Sequence, residues 1–97
     1  MSAELTIETF EPAVGDAFTV GGEGGAKVEL LLVEAERKDA GPHAPRPAFS
    51  LLFHGPGDPL LPQETYRFEH HALGVLEIFI VPLGCDEHGA TYEAFFA

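Results

Sequence analysis

The chain is short of basic residues and almost free of cysteine. Lysine and arginine number five against 16 acidic residues, a formal net charge of -11. The five, Lys27, Arg37, Lys38, Arg46 and Arg67, form no run. A surface of that sign repels nucleic-acid phosphates and anionic membranes, so neither is an expected partner. Cys85 is the only cysteine, which excludes an intrachain disulfide. Long apolar runs are missing too: the longest near-apolar stretch, Leu73 to Gly84, contains Glu77 and falls far short of the roughly 20 residues of a membrane helix. The opening MSAELTIETF lacks a basic stretch followed by an apolar one, so no secretory signal is expected and the cytoplasm is the expected compartment. There is no internal repeat, and nothing is low in complexity except the glycine-rich Gly21 to Gly25.

What remains is an ordinary globular balance: 97 residues, 45% hydrophobic and 22% charged. That length suits a single domain over residues 1–97, with self-association available as extra stability. Glycine and proline recur throughout, which favours short strands joined by turns over long helices. Thr6 to Asp16 places Ile7, Phe10 and Val14 at helical spacing, but Pro12 and Gly15 limit it to a short helical lid. Ala17 to Val20 reads as a strand, Gly21 to Gly25 as a turn, and Lys27 to Arg37 as a second strand. Its apolar face switches midway, from Val28, Leu30 and Leu32 to Leu31, Val33 and Ala35. A bulge, a sheet-changing bend or a strand covered on both sides would each explain the switch.

Asp39 to Pro47 is a proline-rich exposed loop. Phe49, Leu51 and Phe53 alternate cleanly in a third strand. The loop Gly55 to Glu64 carries two exposed-looking leucines, Leu60 and Leu61, and leads to a fourth strand in which Tyr66 and Phe68 share a face. His70 to Gly74 is a turn. Val75 to Pro82 is a fifth strand with Leu76, Ile78 and Ile80 on one side, while Phe79 and Val81 on the other need cover of their own. Gly84 to Gly89 turns the chain into a last strand, Thr91 to Ala97, where Tyr92, Ala94 and Phe96 alternate with Thr91, Glu93 and Phe95. The expected fold class is therefore all-β: about six antiparallel strands in a small meander barrel or sandwich, with a short N-terminal helical turn.

No pattern of chemistry-bearing residues meets the requirements of a known site. Of five histidines (His43, His54, His70, His71 and His88) only His88 stands near Cys85, in a C-x-x-H arrangement, whereas structural zinc sites use two close ligand pairs. His70 and His71 are adjacent and point to opposite faces in extended chain, so no metal is expected. Cys85 with His88 or His54 as base would be a nucleophile only in a geometry that spacing does not supply, and a turn residue is the simpler account. Ser50 has no G-x-S-x-G around it. Glu69 and Glu77 flank a turn and could form a carboxylate pair, although solvent-facing positions account for them. Gly21 to Gly25 lacks the lysine and Ser/Thr of a phosphate loop. The aromatic residues have the spacing of a core, Phe95 being the exception.

The phrases FSLLFHGP from Phe49, LPQETY from Leu61, HHALGVLEIFIVPLG from His70 and YEAFF from Tyr92 make almost the whole chain resemble a bacterial family of small stand-alone domains, uncharacterised-domain family 6916. The resemblance brings no catalytic residue and no cofactor. It implies a protein partner, of the tail-collar type, in a phage-tail-like assembly. The leading expectation is thus a non-enzymatic interaction or structural module, with Leu60, Leu61, His71 and Phe95 as partner-binding residues and either that loop or an exposed edge strand as the contact. The competing expectation is a small-molecule-binding barrel or cryptic enzyme, its pocket lined by Tyr66, Phe68 and His71.

Overall fold

The computed structural model describes residues 5–21, 27–38, 48–58 and 60–96. The expected turn at Gly21 to Gly25, all but its first residue, and the expected loop at Asp39 to Pro47, with His43, lie outside them. Six strands close into one barrel: β1 (Ala17–Gly21), β2 (Lys27–Lys38), β3 (Ala48–Gly55), β4 (Glu64–His70), β5 (Gly74–Asp86) and β6 (Gly89–Phe96). Every pair is antiparallel, and the order around the barrel is β1-β2-β3-β6-β5-β4. A barrel, not a sandwich, is therefore the form taken. The order departs from a simple meander at one place, because β3 pairs with β6 and the proline-rich stretch after Gly55 must carry the chain across to β4. Closure also removes the exposed edge strand offered as a docking element, since each strand has a partner on both sides.

The alternation of large apolar residues fixes which face of each strand turns inward. Phe18, Val20, Leu30, Leu32, Leu51, Phe53, Phe68, Ile78, Ile80 and Tyr92 are fully buried. At their centre Phe18 meets Phe53 edge to face at 5.5 Å between centroids, and Phe53 meets Phe68 at 5.1 Å. Each such ring contributes about 2 to 3 kcal/mol through burial. The face switch in β2 is a bulge. Leu32 pairs with Phe53 and Glu34 with Leu52, so Val33 is the extra residue; parity inverts and Ala35 then packs on the core opposite Leu51. A second register shift, between Pro82 and Gly84, sets Leu83 outside the ladder.

The N-terminal segment is a single helical turn, α1 (Ile7–Phe10), tightened into a 3-10 turn over Glu11–Ala13, where Pro12 stands in the first positions. It packs Ile7, Phe10 and Ala13 against the barrel. Phe10 lies 6.0 Å from Phe49 and 5.6 Å from Phe96, which stack on each other at 4.6 Å. Val14, expected on the buried side, is exposed: the tighter turn ends at Ala13 and leaves Val14 extended, at φ -62 and ψ 128. No helix among the described residues is long and apolar enough to cross a membrane.

Candidate functional site

Three regions gather polar or exposed groups that the core does not claim. The first is the β4–β5 turn. Inward parity continues from Tyr66 and Phe68 to His70, whose ring lies 4.7 Å from that of Phe18. Its Nδ1 accepts hydrogen bonds from the backbone N–H groups of Ala72 and Leu73, both at 3.1 Å. With that lone pair occupied, the proton sits on Nε2, which donates to Asp16 Oδ2 at 2.9 Å. Asp16 follows Gly15, which adopts φ 97, and its backbone oxygen accepts from the Leu32 N–H. The His70 bond holds the Asp16 carboxyl below the ordinary carboxylate range.

His71 stands at the same carboxylate, its Nε2 3.6 Å from Asp16 Oδ2, with its side chain 77% exposed. Asp16, His70 and His71 thus bring three potential ligand atoms within 4.8 Å of one another, a juxtaposition that adjacent histidines in extended chain were not expected to reach. The turn after His70 makes it possible. The donor set nevertheless does not fit a metal ion. A metal needs the Nε2 lone pair of His70, which would move the proton to Nδ1 and set it against two backbone N–H groups. The arrangement is a clamp that joins the β4–β5 turn to the entry of β1.

The second region is the β3–β4 connection, where the two leucines separate. Leu60 is 48% exposed, whereas Leu61 is buried in the core. The expectation that Leu61 offers an external contact is corrected: its N–H donates to the phenolic oxygen of Tyr92 at 2.9 Å. One residue on, the Pro62 carbonyl accepts from Tyr66 Oη at 2.8 Å. These two tyrosines therefore hold the connection down from inside the barrel. The pocket imagined from Tyr66, Phe68 and His71 does not assemble, because the first two point into the packed interior and His71 projects outward. Cys85 and His88 are likewise engaged elsewhere: the thiol faces the Gly57 carbonyl at 3.8 Å and the His88 ring faces Glu87. Glu69 and Glu77 do not pair, being opposite Val75 and Arg67.

The third region is the outer face of β3, β6 and β5. Phe95 lies opposite Ser50, and Glu93 sits between Leu52 on one neighbour and Val81 on the other. Phe79 precedes Val81 by two residues and Phe95 follows Glu93 by two, so both lie on the outward side of these adjacent strands, past the Val81–Glu93 pair where the ladder ends. Phe79 is 49% and Phe95 57% exposed. Phe95 is thus outside the core, as its parity required, and its companion Phe79 was visible in the sequence only as a residue in need of cover. Beyond Leu52 and Ser50 the row continues into Glu34 and Glu36 of β2, and Lys38 forms an ion pair with Glu36.

A family model described as Domain of unknown function (DUF6916) matches residues 5–96, and the chain belongs to that family. No curated protein and no solved structure matches it.

Proposed function

We propose that this domain is a non-enzymatic protein-interaction module whose contact surface is the outer face of β5 and β6, centred on Phe79 and Phe95. One observation carries the reading: two aromatic rings on the outward side of adjacent strands, each about half exposed. Val81 and Leu52 extend the surface, and both are half-buried. Covering the exposed halves of both rings is worth about 2 kcal/mol, roughly 30-fold in Kd, before any polar contact is added. The potential catalytic groups support the same reading from the other side. His70, Tyr66, Tyr92 and Cys85 each face a backbone group of a connection, and the Asp16 carboxylate beside His70 accepts from its Nε2.

The partner class suggested by the family resemblance is a tail-collar-type protein, with this domain an accessory of a phage-tail-like assembly. The proposed compartment is the bacterial cytoplasm, where an exposed lone cysteine such as Cys85 stays reduced. Leu60 and His71 are secondary contacts in this scheme, both exposed and both in connections outside the aromatic face.

Photo-crosslinking in the native cell tests the proposal. A crosslinking residue at position 79 or 95 is expected to capture one common protein that a crosslinker at Thr19, on the opposite arc of the barrel, does not. Absence of a shared product at 79 and 95, with the folded protein present, would refute this choice of surface.

A further inference from the structure

The outer face is asymmetric in charge, and that asymmetry selects its partner. On the β5 side the nearest outward residue before Phe79 is Glu77, two positions away, which lies opposite Arg67, so charge there is balanced. Across β6, β3 and β2 the outward residues include Glu93, Glu34 and Glu36, with Lys38 the one basic residue beside them among the described residues, already paired with Glu36. The charged form of Lys38 is favoured chiefly by its hydrogen bond to Glu36 and more weakly by the charges of Glu93 and Glu34. Glu93 is half-buried between Leu52 and Val81, so its charge is partly shielded from water and interacts more strongly with a docked group.

We infer that the occupant of this face is a basic, apolar-faced polypeptide segment, with apolar side chains over Phe79 and Phe95 and lysine or arginine over Glu93, Glu34 and Glu36. This rests on the reading of the face as a docking surface. Two strand spacings separate β6 from β2, about 10 Å, a span that one amphipathic helix or a short extended segment covers. A second copy of this chain is disfavoured as the occupant, since it carries the same net charge of -11 and the same acidic flank. Nucleic acid and anionic lipid are excluded by that sign as well.

Backbone NMR of the full chain, titrated with three synthetic amphipathic peptides that share their apolar residues and carry lysine, glutamine or glutamate on the polar side, tests the inference. The lysine peptide is expected to shift amides at 50–52, 79–83 and 93–95, to bind at least ~10-fold more tightly than the glutamine peptide, and to weaken as salt is raised. The Glu34→Gln, Glu36→Gln, Glu93→Gln variant should lose that preference yet keep contact at 79–83, whereas Phe79→Ser, Phe95→Ser should lose binding of all three. Equal affinity for the lysine and glutamine peptides, with shifts still at 79–83 and 93–95, would overturn the basic partner while leaving the docking surface standing. No shifts on these strands with any peptide would overturn both. The same amides shifting with protein concentration alone would make a second copy the occupant and overturn the inference.

Discussion

Replacing His70 with phenylalanine separates the two roles that the clamp at the β4–β5 turn combines. The ring packing on Phe18, at 4.7 Å, survives in outline, while three hydrogen bonds disappear: two from the Ala72 and Leu73 amides to Nδ1 and one from Nε2 to Asp16. Each net bond is worth about 1 kcal/mol. Ala72 is exposed, so water replaces its partner cheaply, but Leu73 is half-buried and packs on the core. The expected loss is therefore about 2 kcal/mol, which in a domain of this size lowers Tm by about 10 °C. Urea and thermal denaturation followed by circular dichroism measure it, and an unchanged dependence on denaturant would show that the variant unfolds as the same cooperative unit. His71→Ala, at an exposed ring, should stay within about 0.5 kcal/mol. Zinc completes the argument: with the proton on Nε2 the parent should gain no stability from zinc. A parent stabilised by zinc, with the gain lost in His70→Phe, would refute the tautomer assignment, and a variant as stable as the parent would refute the clamp.

The remaining expectations concern pH, a buried hydroxyl and a glycine. The Asp16 carboxyl is held low chiefly by the His70 hydrogen bond and the Glu8 carboxyl chiefly by the Arg37 side chain; the unfolded chain thus binds more protons near pH 4, and this stability is present above about pH 5 and lost as pH falls through the depressed values. Asp16→Asn should flatten that acid limb between pH 5 and 3, and parallel stability profiles would contradict the assignment. Tyr92→Phe leaves the Leu61 N–H without its partner inside the core, a loss of about 1 to 3 kcal/mol by urea denaturation, with faster hydrogen exchange at Leu61. Gly89→Ala should cost at least about 2 kcal/mol, because Gly89 has φ 122 and an added Cβ would lie 2.3 Å from the Gly55 carbonyl oxygen. Gly84→Ala, where the same carbon meets no atom within 4 Å, should leave the urea midpoint nearly unchanged.

The strands were legible where one face is buried, since alternation in Phe49-Leu51-Phe53 and Tyr92-Ala94-Phe96 needs no knowledge of partners. The β2 face switch was legible as an anomaly, but choosing a bulge required the register against Leu52 and Phe53. Closure and strand order depend on pairings between distant segments, for which local pattern carries no signal. Leu60 and Leu61 look alike in a proline-rich loop, and only Tyr92, 31 residues away, draws Leu61 inside. For the two histidines a signal did exist: Tyr66 and Phe68 set an inward parity that reaches His70 and leaves His71 to the turn. Asp16, 54 residues from His70, had none.

The polar groups inside this barrel serve its connections. Tyr66 and Tyr92 bind the β3–β4 link, and His70 binds both the β4–β5 turn and the approach to β1. A group hydrogen-bonded to a buried backbone partner is tied to the connection it holds, so moving it disturbs that connection. The outer face obeys a different rule. A strand exposed to water is satisfied by threonine, as Thr65 beside Phe79 and Thr91 on β6 show, and a half-exposed phenylalanine there realises only part of its burial energy in folding. Phe79 and Phe95 are the two aromatic rings among the exposed large apolar side chains of the described residues, and the proposed partner with apolar side chains would cover the halves that the fold leaves open.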